Sequence, residues 1–99
     1  MKYVKVHRSH RHVIAICDSS LLGKKFEEGK RQLDVRENFF KGEEHTYNEV
    51  VKIIQLEARE DSTFNIVGRE SIKAAKEAGV ITQENVAILQ SIPFTLILA

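Results

Sequence analysis

Two runs of strand-forming residues, Lys2 to His7 and His12 to Cys17, are separated only by Arg8-Ser9-His10-Arg11. A connection that short joins antiparallel strands, so the front of the chain is expected to be a hairpin. Closing it on those four residues sets His7 against His12, Val6 against Val13 and Val4 against Ala15. Val4, Val6, Val13, Ala15 and Cys17 then share the core face, and Tyr3, Lys5, His7, His12, Ile14 and Ile16 share a mixed, partly wet one.

The remaining punctuation continues the pattern. Asp18-Ser19-Ser20 offers N-caps for one helical turn over Leu21-Leu22 that Gly23 ends. Lys24 to Glu28 and Arg31 to Val35 read as short strands joined near Gly29-Lys30, with Phe26, Leu33 and Val35 inward. After a polar stretch around Lys41-Gly42-Glu43-Glu44, Thr46 and Glu49 have capping-box spacing. Tyr47, Val50, Val51, Ile54 and Ala58 follow as the apolar stripe of a helix. Phe64 to Val67 reads as a strand, and Gly68 opens a second helix that ends at Ala78 with Gly79 as its cap. Val86 to Leu89 and Phe94 to Leu98 form a closing hairpin with Pro93 at its turn. The fold class is therefore α+β: a single small domain over residues 1–99, with a mostly antiparallel mixed sheet of short strands and two helices.

Composition narrows the setting. At 99 residues, 42% apolar and 29% charged, the chain has the make-up of one ordinary globular domain. The single Cys17 rules out an internal disulfide and points to a reducing, cytoplasmic address. Lys2 and the alternating residues after it lack the apolar core of a leader, so neither a leader nor a membrane partner is expected. Charge is uneven: residues 1–36 carry nine Lys/Arg against four Asp/Glu, and residues 37–99 carry six against ten. A basic front with an acidic rear suggests contact with nucleic acid or with an oppositely charged partner.

Four segments in order, CDSSLLGKKFEEG (Cys17 to Gly29), FFKGEE (Phe39 to Glu44), NIVGRES (Asn65 to Ser71) and AGVITQENV (Ala78 to Val86), resemble the archaeal proteins of domain of unknown function 424. The resemblance implies an archaeal, cytosolic, single-domain protein and carries over no chemistry. It also implies a His soon after the Pro of the last turn, where this chain has Phe94.

Three places offer chemistry. His7, His10 and His12 lie within six residues, and the expected register would put His7 and His12 on one face, in reach of a shared metal. No carboxylate or thiolate lies in that turn, so no metal and no cofactor is expected. The same turn offers Arg8 and Arg11 for phosphate oxygens. Cys17 precedes a helical turn, but its core-facing position suits a small buried thiol better than a nucleophile. Gly68 precedes a helix start, where backbone N–H groups attract anions, yet one glycine without a P-loop lysine reads as a structural junction.

These readings favour a non-catalytic RNA-binding or translation-associated module, with Lys5, His7, Arg8, His10, Arg11, His12, Lys24 and Lys25 as the contact residues. RNA or a ribonucleoprotein is the expected partner. The alternatives are a small enzyme or metal-binding protein built on the histidine turn or Cys17, and a scaffold for a protein partner or a second copy of the chain.

Overall fold

A computed structural model describes residues 1–98. Strands β1 (Lys2–His7) and β2 (Val13–Asp18) form the front hairpin, followed by a 3₁₀ turn over Ser19–Leu21. A separate two-stranded ribbon, β3 (Lys25–Glu28) and β4 (Arg31–Asp34), leads to the short helix α1 (Glu37–Phe40). Then come β5 (Glu43–His45), α2 (Tyr47–Ala58), β6 (Thr63–Val67), α3 (Arg69–Glu77), a second 3₁₀ turn over Gln83–Asn85, β7 (Ala87–Leu89) and β8 (Ile92–Ile97). The main sheet has the order β5-β1-β2-β6-β8-β7, and every pairing is antiparallel except β2 with β6.

The front hairpin is one residue out of the expected register. His7 pairs with Val13, Val6 with Ile14, Val4 with Ile16 and Tyr3 with Cys17, so the loop is Arg8 to His12. A one-residue slip exchanges the faces of a strand. Val4, Val6, Ile14 and Ile16 therefore pack beneath the helices, while Tyr3, Ala15 and Cys17 face the other way. The reason is that β2 has no wet face: Ile14, Ala15, Ile16 and Cys17 are all fully buried. An apolar run covered on both sides carries no period-2 signal to set its register.

Two cores result. On one face, α2 and α3 bring Val50, Val51, Ile54, Ile72 and Ala75 onto Val4, Ile14, Ile16, Phe64 and Ile66. On the other, the β3-β4 ribbon and α1 bring Phe26, Leu33, Val35 and Phe40 onto Ala15, Cys17, Val67 and Phe94. Helix α2 starts as its sequence dictates: the Glu49 N–H donates to Thr46 Oγ1 at 3.3 Å, and the Thr46 N–H donates to Glu49 Oε1 at 2.8 Å. The backbone hydrogen bond from Thr46 holds the Glu49 carboxyl below its ordinary pKa.

Helix α3 is capped from elsewhere in the chain. Asp18 Oδ1 accepts from the Ser71 N–H at 2.9 Å and from Ser71 Oγ at 2.7 Å, and its Oδ2 accepts from the Glu70 N–H at 3.2 Å. The Asp18 side chain makes no cap bond to the 3₁₀ turn that follows it, where the sequence had placed it. Gly68 makes room for this carboxylate: its φ is 112°, and a Cβ there would stand 2.4 Å from Asp18 Cγ.

Three further departures are local. The polar stretch before α2 contains β5, an edge strand whose backbone pairs with Lys2 to Val4. Gly42 just before it lies so close that a Cβ would be 2.1 Å from the Val4 carbonyl oxygen. The closing hairpin turns at Gln90-Ser91, both at positive φ (48° and 65°), and Pro93 lies inside β8 opposite Ile88. Pro93 is tolerated because its carbonyl, bonded by the Gly68 N–H at 2.9 Å, shows that its missing donor points past the end of β6.

Candidate nucleic-acid interface

The Arg8–His12 tip stands at the end of β1 and β2, with Arg8, His10 and Arg11 exposed. The corrected register separates the histidines. His7 turns onto α1, where its ring stacks on Phe39 with centroids 4.6 Å apart and planes 20° off parallel. Its Nε2 lies 2.8 Å from the Phe39 carbonyl oxygen, which only accepts, so Nε2 carries the proton. His12 turns toward α2 instead, with Nδ1 3.4 Å from Glu57 Oε1, an oxygen that also accepts from Ser62 Oγ at 2.9 Å. No group of three His, Cys, Asp or Glu side chains stands close enough to hold a metal ion among the described residues.

Carboxylates flank the tip. His10, Arg11 and His12 line a cavity of about 370 Å³ together with Glu60 and Asp61 from the α2–β6 loop. Arg8 and Lys5 share another with Glu43, His45 and Glu57. Lys24 and Lys25 belong elsewhere: they follow the 3₁₀ turn at the opposite end of β2, about 20 Å of strand away at 3.3 Å per residue. Lys25 Nζ lies 3.5 Å from Glu27, an exposed pair. Cys17 is fully buried, and burial first, then the neighbouring Asp18 charge, push its thiol up to about 12 against an opposing hydrogen bond from the Tyr3 backbone. That environment suppresses the thiolate a nucleophile needs. The anion-attracting start of α3 is likewise filled, by the Asp18 carboxylate.

Next to the tip lies a feature that sequence reasoning missed. Lys5, Ala15, Asn65 and Leu96 form one row across β1, β2, β6 and β8 on the face carrying the β3-β4 ribbon. The ribbon and α1 cover Ala15 but stop short of Leu96, which remains 57% exposed. The gap is a cavity of about 380 Å³ walled by Phe39, Phe94 and Leu96, with Arg36, Asp34 and Asn65 as its polar groups. An apolar hollow with a few convergent polar groups has the make-up of a small-ligand or nucleobase site. Phe39 is shared between this cavity and the His7 stack, so the cavity adjoins the tip. The signal in the sequence was the pair Phe39-Phe40: one ring is buried and the other is left over for the surface.

The arrangement defines a small three-layer α+β domain with a charged tip and an adjoining aromatic cavity. The chain belongs to the family described as protein of unknown function (DUF424), whose model matches residues 7–99. It is similar in structure to an uncharacterised conserved protein from Methanopyrus kandleri, with a TM-score of 0.85 and 23% identity over 98% of this chain and 91% of that one. That likeness establishes a shared fold. No curated protein matches the chain. No helix among the described residues is long and apolar enough to cross a membrane.

Proposed function

We propose that this protein is a non-catalytic module that binds single-stranded RNA. Arg8, His10 and Arg11 meet the phosphates, and a base enters the cavity against Phe39 and Phe94. The observation that supports this most is the His7–Phe39 stack, which joins exposed cations to an aromatic-lined hollow. Single strands are held by that pair of features, a charged path for the backbone and rings on which bases stack. Lys5 adds charge beside Arg8 and Arg36 adds it within the cavity, whereas Lys24 and Lys25 stand apart. The carboxylates around the tip weaken sequence-independent attraction, so the cavity contributes more of the affinity than the sequence alone suggested.

The setting that goes with this reading is the reducing cytosol of an archaeon, with the translation apparatus as the source of the RNA. The enzyme alternative draws no support from Cys17, whose thiol is held neutral. A scaffold role has one supporting observation, the exposure of Leu96 and Leu98 at 57% and 73%. The test is titration of a labelled single-stranded oligonucleotide into wild type and Phe39→Ser, with sedimentation of the free protein alongside. The reading expects binding by the wild type and a loss of about tenfold in the variant, as for removal of one stacked base. Binding unaffected by Phe39→Ser would exclude the cavity. No binding by a self-associating wild type would favour the scaffold.

A further inference from the structure

A second surface, on the helix side of the sheet, is independent of the tip. Arg69, Lys73 and Lys76 recur at i, i+4 and i+7 along α3, which puts them within about 60° of arc on one side of the helix. They form one wall of a groove of about 250 Å³. Its floor and far wall are mainly aliphatic: Ile72 from the helix, Val86 just before β7, and Ile88 and Pro93 from the β7-β8 hairpin, with Gln83 as the one neutral polar residue. Ile88 is 54% exposed although it is large and apolar.

No carboxylate lines this groove, and no salt bridge forms at any of the three cations among the described residues. Lys76 Nζ donates to the neutral Gln83 amide oxygen, and Lys73 Nζ lies 5.8 Å from the Tyr47 ring centroid, a contact it can leave. The acids of α3, Glu70 and Glu77, border the stripe on the Lys73 side without entering the groove, and Glu77 accepts from the Tyr47 hydroxyl at 3.0 Å. Three cations without a salt bridge, beside an exposed aliphatic floor, are complementary to negative charge carried next to an aliphatic side chain.

We propose that the groove between α3 and the β7-β8 hairpin is a docking site for an acidic segment of another protein that carries an aliphatic anchor. The carboxylates face Arg69, Lys73 and Lys76, and the anchor covers Ile88. An RNA strand fits this groove less well, because its lining contains no aromatic ring on which a base would stack. The site is independent of RNA binding at the tip.

The probe is a fluorescent glutamate-rich peptide with leucines spaced for one face, compared with the same peptide carrying serines in their place, and with a short oligouridylate. Anisotropy titrations use the wild type, Arg69→Gln/Lys73→Gln and Ile88→Thr, with circular dichroism as the folding control. The expected result is binding of the leucine peptide that weakens about tenfold in the double variant and about threefold or more in Ile88→Thr. If the double variant unfolds, Lys76→Gln replaces it with the same expectation. Equal binding of the serine peptide, unchanged affinity in the folded variants, or displacement of the peptide by oligouridylate would each overturn the proposal.

Discussion

At the Asp18 end of β2, a carboxylate meets three donors that belong to one turn of α3. At the Val13 end, the cations and imidazoles of the tip meet carboxylates side chain to side chain, as with His12 and Glu57 at 3.4 Å. Both ends place opposite polarity together, yet they differ in what is held. A carboxylate on helix N-terminal N–H groups engages donors that cannot move away, and such a cap contributes about 1–2 kcal/mol. Exposed pairs of long side chains contribute about 0–1 kcal/mol and release easily. The locked end joins the two halves of the fold, and the loose end is free to exchange its partners for a ligand.

The sharpest way to break that contrast is Gly68→Ala. The added Cβ would collide with Asp18 Cγ at 2.4 Å, and φ of 112° is foreign to alanine. Strain of about 1–3 kcal/mol and loss of the cap together predict destabilisation of about 2–5 kcal/mol. Urea denaturation measures it; a change under 1 kcal/mol would mean that Asp18 does not need this space.

Asp18→Ala comes next, at about 2 kcal/mol, since it leaves the Glu70 and Ser71 donors without their acceptor. Combining the two substitutions sharpens the point. If the alanine at 68 acts by expelling Asp18, the double variant should lose at least about 1 kcal/mol less than the two singles together. Strict additivity would show the two residues to be independent.

The same contrast explains which features were legible in the sequence. The α2 capping box was, because Thr46 and Glu49 are three residues apart and satisfy each other. Asp18 was recognisable as a cap but not its helix, which begins 51 residues later at Arg69. The Gln90-Ser91 turn lacks the glycine or asparagine that marks positive φ, so Pro93 drew the assignment instead. β5 escaped because an edge strand of Glu43, Glu44 and His45 pairs through its backbone. A sum of charge along the chain hides local neighbours: the basic tip stands beside Glu57, Glu60 and Asp61, while the acidic rear contains the Arg69, Lys73 and Lys76 stripe, which forms no salt bridge among the described residues. That stripe was readable from spacing, and only the sum over the segment hid it.

Cys17, one residue before Asp18, tests the locked end by chemistry. Cys17→Ser should cost about 1–3 kcal/mol, because it buries a hydroxyl in place of a thiol. In the native protein, burial favours the neutral thiol. Its contribution is complete below the ordinary value of 9.0 and is lost as pH rises toward about 12. Thiol reagents should therefore label native protein slowly from pH 7 to 9, and denaturant should raise the rate steeply. Fast native labelling would place Cys17 in a far more open environment.

The smallest expected effect on stability belongs to the loose end and has the clearest functional readout. Arg8→Ala with Arg11→Ala should change stability by less than about 0.5 kcal/mol, because both side chains are exposed and the tip's ionic contacts are of the weak kind. If the tip engages phosphates, the double variant should bind unrelated RNA sequences more weakly and shallow the salt dependence by about one to two units of slope, roughly one counterion per arginine. Glu60→Gln with Asp61→Asn should act in the opposite direction, tightening RNA binding at low salt, since these carboxylates share the Arg11 cavity. Opposite shifts from the two pairs would identify the tip as an electrostatic contact whose acids temper it. Unchanged affinity and slope in folded Arg8→Ala/Arg11→Ala would exclude the tip, and RNA binding would then have to rest on the Phe39 cavity alone.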